Sequence, residues 1–471
     1  MKKSEFKKYP KYKHSGIEWI GEIPEGWEVK KLRFIGRFTS SGIDKKINEN
    51  ETRVKIINYT DVYGNSSLVL NSDREYMEVT CSEEKHLDHQ VIKGDLIFTP
   101  SSETTEDIGL SALVNEDLEN TAYSYHVLRF RFEKEADHNF KKYLGNNHFV
   151  LNQFSSNAKG TTRQILNREN FNSTFVVLPP KSEQTAIANY LDDKTAKIDT
   201  LIEKKKKLIE LCKEERTAVI NEAVTKGLNH DSHDLADEHD KKNHGNPLIK
   251  LNQGSDTKMK DSGIDWLGQI PQHWEVKKLK YVGNIVLGKM LTNDDKGGYY
   301  LKPYLRAANL QWFKVNVEDV KEMWFSEAEL EKLRIEEFDL LVSEGGEVGR
   351  TCIWQKELEE CFIQNSVHKI TIEQNQDPLF FLYLMYYLGS IGLFESIVNR
   401  ISIAHLTGEK IKDIPVWHPH KTEQHQIVQY IEAETKRIDG KIARTEKEIE
   451  LLREYRTALI SEVVTGKIKV C

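Results

Sequence analysis

This chain of 471 residues contains itself twice, and that duplication limits its possible folds more than any other feature. The segment Ser15-Gly16-Ile17-Glu18-Trp19-Ile20-Gly21-Glu22-Ile23-Pro24 returns as Ser262-Gly263-Ile264-Asp265-Trp266-Leu267-Gly268-Gln269-Ile270-Pro271. The match continues from Trp27-Glu28-Val29-Lys30-Lys31-Leu32 to Trp274-Glu275-Val276-Lys277-Lys278-Leu279. Two rear blocks repeat as well: Lys181-Ser182-Glu183-Gln184 with Lys421-Thr422-Glu423-Gln424, and Arg216-Thr217-Ala218-Val219-Ile220 with Arg456-Thr457-Ala458-Leu459-Ile460. Two long copies do not make a solenoid, which stacks several short ones. They predict a molecule with internal pseudo-two-fold symmetry, suited to a ligand or partner that is itself roughly two-fold.

The length exceeds one ordinary core and suits several domains. Charged residues make up 30% and hydrophobic residues 38%, as in a soluble globular protein. No apolar run is long enough to span a bilayer. The basic start, Met1-Lys2-Lys3-Ser4-Glu5-Phe6-Lys7-Lys8-Tyr9, has no apolar stretch behind it and does not read as a signal peptide. The five cysteines are scattered without CxxC spacing, so reduced thiols and a cytoplasmic location are expected. A net charge of −7 argues at first against nucleic acid. Much of that acidity sits in Asp231-Ser232-His233-Asp234-Leu235-Ala236-Asp237-Glu238-His239-Asp240, between the copies, and local potential decides DNA binding.

Each copy has a strand-rich mixed stretch followed by one long helix. Tyr125-His126-Val127-Leu128-Arg129-Phe130-Arg131-Phe132 and Val367-His368-Lys369-Ile370-Thr371-Ile372 read as strands, and 378–388 as a helix. Ser182 is the expected N-cap of the first long helix, with Glu183 in its first turn. Apolar or small residues recur at Ile187, Leu191, Ile198, Leu201, Leu208, Cys212, Val219 and Ala223, near a 3.5-residue period, with Lys194 and Lys205 interrupting. Gly227 is a natural stop. The second long helix starts at Thr422, carries Ile427, Ile431, Ile438, Leu452, Tyr455 and Leu459 at matching positions, and ends near Gly466. About 40 helical residues make a rod of about 60 Å, which needs a partner for its stripe. The expected partner is the other copy's helix, in an internal coiled coil; the alternative is that each stripe packs onto its own globular domain. The segment 229–258 reads as a polar linker, and its His230, His233, His239 and His244 as linker residues rather than metal ligands.

Between the repeated blocks the copies diverge. Ser262 follows Ser15 by 247 positions, whereas Lys421 follows Lys181 by 240. Val54-Lys55-Ile56-Ile57-Asn58-Tyr59-Thr60-Asp61-Val62 parallels Lys302-Pro303-Tyr304-Leu305-Arg306-Ala307-Ala308-Asn309-Leu310. Gly94-Asp95-Leu96-Ile97-Phe98-Thr99-Pro100-Ser101-Ser102 parallels Phe338-Asp339-Leu340-Leu341-Val342-Ser343-Glu344-Gly345-Gly346, and Gly160-Thr161-Thr162-Arg163-Gln164-Ile165-Leu166 lies opposite Arg400-Ile401-Ser402-Ile403-Ala404-His405-Leu406. Scaffold residues agree while loop-like polar residues differ, as in two readers built on one frame.

Over nearly its whole length the chain resembles the specificity subunit of a type I restriction-modification system. The resemblance rests on the Ile-Pro-x-x-Trp opening, the Gly-Asp-Leu block, the Pro-Pro-x-x-Glu-Gln start of the long helix, and the duplication. The second copy departs from the pattern with Phe338 for Gly94 and Pro419-His420 for Pro179-Pro180. The resemblance implies an α+β fold: two mixed α/β target-recognition domains, each followed by a long helix, the helices pairing as an antiparallel coiled coil. The expected partition is a first recognition domain at 1–180, a first spacer helix at 181–228, a linker at 229–258, a second recognition domain at 259–419 and a second spacer helix at 420–471. It further implies double-stranded DNA as ligand, each domain reading half of a split asymmetric site. Two methyltransferase subunits, and restriction subunits through them, are the implied protein partners.

The candidate DNA contacts are Asn58, Ser101, Ser102, Thr104, Lys159, Arg163 and Gln164 in the first copy and Arg306, Arg350 and Arg400 in the second. Arginine forks suit guanine edges and phosphates, amides suit adenine, and Thr105 extends the hydroxyl-rich run. The alternative for each is a solvated surface or turn residue. Gly345-Gly346-Glu347-Val348-Gly349-Arg350 lacks the lysine of a phosphate loop and reads as a tight turn. His418, His420 and His425, like His86 and His89, lack ligand spacing. No methyltransferase or complete Walker motif is present, and no cofactor, metal or catalytic residue is expected. A nuclease with an unrecognised site and a protein-binding scaffold are the competing classes.

Overall fold

A computed structural model describes residues 7–229, 250–251, 258–398 and 405–470. The chain divides into two compact units, Met1–Lys206 with Glu446–Cys471, and Lys207–Thr445. Each unit therefore holds the mixed domain of one copy, the start of that copy's helix, and the end of the other copy's helix. Most of the segment expected as a linker, with its four histidines, lies outside the described residues, as does Arg400.

The two mixed domains share one plan. In the first, a five-stranded sheet runs in the order Gly36–Ser40, Leu128–Phe132, Leu96–Phe98, Ser111–Val114, Val69–Leu70, antiparallel except for its last pair. A second sheet pairs Thr52–Ile57 antiparallel to Met77–Cys81 and parallel to Thr121–Tyr123. In the second domain, Gly283–Leu287, Val367–Ile372, Leu340–Ser343 and Thr351–Ile353 form the first sheet. Tyr300–Leu305 pairs antiparallel to Lys321–Phe325 and parallel to Phe362–Ile363 in the other. The strand expected over 125–132 is confined to Leu128–Phe132, because Val127 closes a turn on Ser124. The expected helix over 378–388 is Pro378–Ser390, with the Asp377 side chain accepting from Leu379 N–H.

The Gly-Asp-Leu block has a local reason. Asp95 and Asp339 are buried, and each accepts a backbone N–H three residues upstream, from Ile92 at 3.0 Å and Glu336 at 2.8 Å. Arg131 satisfies Asp95 at 2.7 Å; Thr371 and Lys369 satisfy Asp339. Burial nevertheless raises the Asp339 carboxyl above its ordinary range. The residue before each aspartate is left-handed, Gly94 at φ +94° and Phe338 at φ +69°. Phe338 thus keeps the glycine's turn at a cost of about 1 to 2 kcal/mol in backbone strain.

The long helices span Lys181–Lys226 and Lys421–Val464. The first starts one residue before Ser182. Pro180 is its cap instead, because its carbonyl accepts the N–H groups of Glu183 and Gln184 at 2.9 and 3.0 Å. The buried stripe is also shifted from the expected one. Leu191, Thr195, Ile198, Ile202, Ile209 and Cys212 are buried, while Leu201 is exposed and Leu208 half-buried. Those positions, with Lys205 between Ile202 and Ile209, alternate steps of four and three. A spacing of 3.5 marks a coiled-coil seam. Ile431, Thr435, Ile438, Thr445, Ile449 and Leu459 continue the same rhythm on the second helix, and Tyr455 lies exposed off the seam.

The helices pair antiparallel in both units. In the first, Asp199 meets Arg456 at 2.9 Å and Lys205 meets Glu448. In the second, Asp439 meets Arg216 at 3.3 Å and Glu215 meets Arg437 at 2.8 Å. Asp199–Arg456 and Asp439–Arg216 are the same pair in the two copies, which explains the repeated Arg-Thr-Ala block. Thr217 and Asn221 then dock on the 378–390 helix through Tyr386 and Ser390, both at 3.1 Å.

The front and rear blocks meet at two buried tryptophans. Trp27 donates its indole N–H to Glu183 at 3.1 Å, and Trp274 donates to Glu423 at 3.0 Å. The next glutamine is buried in both copies. Gln184 donates to the Pro179 carbonyl and accepts from Asp137 N–H, each at 2.9 Å. Gln424 repeats this with Pro419 at 2.9 Å and Asp377 at 2.8 Å. The end of the other copy's helix closes over each indole at a left-handed glycine, Gly466 at φ +76° on Trp27 and Gly227 at φ +72° on Trp274. A Cβ on Gly466 would lie 2.4 Å from Pro24 Cδ, whereas one on Gly227 would reach no closer than 3.0 Å to Trp274. Among the described residues no helix is long and apolar enough to cross a membrane.

Gly466→Ala is expected to destabilise the first unit by about 2 to 3 kcal/mol, combining positive-φ strain with a backbone shift. Gly227→Ala is expected to cost the second unit less, about 1 to 2 kcal/mol. Urea denaturation of the two variants checks the order.

Candidate nucleic-acid interface

A common frame positions corresponding loops in the two domains. In the first, Gly109 N–H bonds Thr99 carbonyl at 3.1 Å, Thr99 N–H bonds Leu110 carbonyl at 2.9 Å, and Leu166 N–H bonds Pro100 carbonyl at 2.8 Å. In the second, Gly349 bonds Ser343 at 3.0 Å, Ser343 bonds Arg350 at 2.9 Å, and Leu406 bonds Glu344 at 3.0 Å. Between these ties the second loop is four residues shorter and exchanges hydroxyls for Glu344-Gly345-Gly346-Glu347. The glycines closing both loops face an aromatic ring, Phe154 or Phe394, where a Cβ would approach to 2.3 or 2.2 Å. The Gly345–Arg350 run is a turn, with Ser343 Oγ donating to the Gly345 carbonyl at 2.6 Å.

The first domain gathers most of its sequence candidates on one surface. The two-residue strands Ser101–Ser102 and Gln164–Ile165 pair antiparallel, Ser102 opposite Gln164. Lys159 bridges to Ile165, and Gly160, at φ +145°, allows the tight return. Arg163 donates Nε to Ser101 Oγ at 3.1 Å, and its guanidinium lies over the Tyr59 ring at 5.6 Å. Gln164 turns back on the Gly160 carbonyl at 2.9 Å. Ser102 is buried and accepts from Thr104 N–H at 3.4 Å; Thr104 Oγ1 donates to Asp107 at 3.4 Å. Thr105 bonds Glu106 at 2.9 Å. No ion pair involves Arg163 or Lys159 among the described residues, so both cations are available to an anion.

Asn58 behaves differently. It is buried as the cap of the short helix Tyr59–Val62, its N–H donated to Asp61 at 2.7 Å and its amide to Met77 Sδ at 3.6 Å. Arg306 occupies the matching position, capping 307–309 with its N–H on Asn309 at 3.1 Å. The Arg306 side chain is half-buried and pairs with the exposed Asp319. Arg350 pairs with Glu347 at 3.1 Å and reaches the Ala307 carbonyl at 3.4 Å, so both arginines converge on the 306–309 turn. Arg306 and Arg350 are thus neutralised internally, unlike Arg163 and Lys159.

The structure adds residues that the sequence reading passed over. Tyr59 and Tyr63 stack with centroids 5.1 Å apart, and Tyr63 donates to Asp107 at 3.1 Å. That bond to a carboxylate pushes the Tyr63 phenol up. Burial, then Lys45 and Arg163, pushes His126 down, with Asp44 opposing. Trp312 donates its indole N–H to Glu347 at 2.6 Å. An i, i+4 tyrosine pair directly after Asn58 was the available signal for the first group. Among the described residues no three His, Cys, Asp or Glu side chains cluster as metal ligands.

Two copies of one α/β frame, exchanging helix ends and differing in their polar loops, define a duplicated recognition protein. The sequence matches the type I restriction modification DNA specificity domain over residues 24–211 and 271–451, more than half of the chain. The chain belongs to this family, and it is a specificity subunit, a non-catalytic member of a type I restriction-modification system. A Methanocaldococcus jannaschii protein named provisionally as the MjaX type I restriction enzyme specificity subunit is 24% identical over 469 residues, 96% of each chain. The EcoKI specificity subunit of Escherichia coli K12 is 26% identical over 188 residues, 39% of this chain and 40% of that one. The fold is similar to a chain in a structure of the type I R-M system concerned with complex assembly and conformational transition. That match has a TM-score of 0.60 at 17% identity and covers 95% and 99% of the two chains. It is also similar to the HsdS subunit of Thermoanaerobacter tengcongensis, with a TM-score of 0.51 at 16% identity and 95% and 98% coverage.

Lys159→Ala is expected to weaken DNA binding for all sequences alike. It should reduce the slope of log K against log salt by about 0.9, one phosphate contact's worth. Titration across a salt series checks both effects.

Proposed function

We propose that this specificity subunit reads a split, asymmetric DNA site, one half with each mixed domain, and that it docks methyltransferase subunits and, through them, restriction subunits. The observation that carries the reading is the pair of equivalent loops, 99–109 and 343–349, held by the same three hydrogen bonds yet differing in length and chemistry. A conserved frame with divergent polar loops is what two different half-sites require. In this reading Ser101, Thr104, Lys159, Arg163 and Gln164 face the first half-site. Arg306, Arg350 and Arg400 face the second, Arg306 by exchanging its carboxylate partner for DNA. Asn58 and the buried Ser102 hold the loop bases that carry the others.

The functional partition follows the same lines: recognition at 1–180 and 259–419, spacing at 181–228 and 420–471, and a linker at 229–258. The reading places the subunit in the cytoplasm with the DNA. The paired helices act as the spacer. Deleting one heptad from both is expected to shorten the gap between half-sites by about 3 base pairs, since seven residues rise about 10 Å. The primary test is methylation mapping in cells carrying the chain and its companion methyltransferase, with and without this gene. A two-part motif lost on deletion is the expected result. A heptad deletion that leaves the gap unchanged refutes the spacer role. DNA binding that is insensitive to both salt and sequence points instead to a protein scaffold.

A further inference from the structure

Both domains repeat one device that the sequence candidates do not include. Two residues before the closing glycine of each recognition loop stands an acid, Asp107 before Gly109 and Glu347 before Gly349. Each is tethered to an aromatic side chain from the segment that follows the capped turn at 58–62 or 306–309. Tyr63 donates to Asp107 Oδ2 at 3.1 Å, and Trp312 donates to Glu347 Oε1 at 2.6 Å. The loops differ in length and the aromatic residues differ in kind, yet the acid and its tether recur. Each acid also has a neighbour that fixes it further, Thr104 for Asp107 at 3.4 Å and Arg350 for Glu347 at 3.1 Å. Asp107 Oδ1 makes no hydrogen bond among the described residues, and each oxygen of Glu347 keeps a second lone pair.

A carboxylate on a surface that meets DNA is repelled by every phosphate. It gains only from a donor, and the donors on base edges in the major groove are exocyclic amino groups, N4 of cytosine and N6 of adenine. Resting on the DNA-reading function proposed above, we infer that Asp107 and Glu347 are specificity-determining residues, each accepting a hydrogen bond from the amino group of one base in its half-site. Cytosine is the favoured partner, because a single carboxylate acceptor matches its lone N4 donor, whereas adenine also presents the N7 acceptor, which a carboxylate repels. The aromatic tether holds the acid in place before DNA arrives, so little freedom is lost on binding. A base that presents an acceptor at that position, such as guanine O6 or thymine O4, is repelled by the carboxylate, so the same acids penalise wrong sequences.

The test uses the full chain assembled with its methyltransferase subunit and selects from a randomised duplex library, with Asp107→Asn, Glu347→Gln and Tyr63→Phe compared with wild type. Asp107→Asn is expected to relax discrimination roughly tenfold at one position of one half-site, and Glu347→Gln likewise at one position of the other half. Tyr63→Phe frees the acid without removing it and is expected to relax the same position as Asp107→Asn, by less. A relaxed position that held adenine in the wild-type motif overturns the choice of cytosine. An unaltered motif in both acid variants, or equal loss at every position, overturns the inference and leaves the acids as loop tethers. A wild-type selection without any two-part motif overturns the DNA-reading function itself, which is a different outcome from either.

Discussion

The structure depends on burying two indole rings whose N–H groups must still find an acceptor. Trp27 and Trp274 are fully buried, and an unpaired donor there would cost about 1 to 3 kcal/mol. Glu183 and Glu423 supply that acceptor from the first turn of the long helices, where a carboxylate also suits the helix dipole. The bond fixes where each helix leaves its domain. The neighbouring glutamine ties the same turn to the loop before it, so the direction of departure is set by several bonds rather than one. The far end of the other helix then covers the indole through a left-handed glycine, whose Cβ would crowd Pro24 in one copy and the Trp274 ring in the other. One cluster thus joins the opening block, the helix start and the opposite helix end.

That exchange accounts for the division into units. Neither copy completes a unit from its own residues, since each borrows the last part of the other's helix. The seam between the helices is not a purely apolar one. Thr195 and Thr435 return their hydroxyls to the carbonyls of Leu191 and Ile431, both at 2.7 Å, and Lys205 is met by Glu448. Of these contacts only Lys205–Glu448 crosses between the helices, and a polar seam position met in that way specifies register at some expense of stability. The equivalent ion pairs Asp199–Arg456 and Asp439–Arg216 are partly exposed, so each contributes at most about 1 kcal/mol and serves alignment more than strength.

With the frame fixed in this way, the corresponding loops can differ while the frame holds them at both ends. The Thr99–Gly109 and Ser343–Gly349 ties tolerate a four-residue difference because they are backbone bonds, indifferent to what lies between. The two surfaces differ electrostatically as a result. Among the described residues Arg163 and Lys159 have no carboxylate partner, whereas Arg306 and Arg350 are held by Asp319 and Glu347.

Much of this was legible in the residues. The duplication and the long helices followed from repeated blocks and a 3.5-residue period, whereas the antiparallel sense of their pairing was expected from the spacer role and not from any residue pattern. The seam itself was misplaced by about one residue along part of the helix, at Leu201 and Leu208, because adjacent apolar residues such as Leu201 and Ile202 leave the rotation undetermined until a second helix chooses between them. Ser182 looked like the cap because its side chain suits the role, yet the Pro180 carbonyl reached the first free N–H groups. The candidate surface was half legible: polarity marked Ser101, Thr104 and Arg163, but nothing local distinguished the buried Asn58 from an exposed reader. The tethers Tyr63–Asp107 and Trp312–Glu347 join residues 44 and 35 positions apart. By itself the sequence determined the repeat, the helices and the residue types available to each loop. Only the tertiary structure decided which of them face outward and which share a surface, because those facts are set by contacts between segments that sequence proximity does not encode.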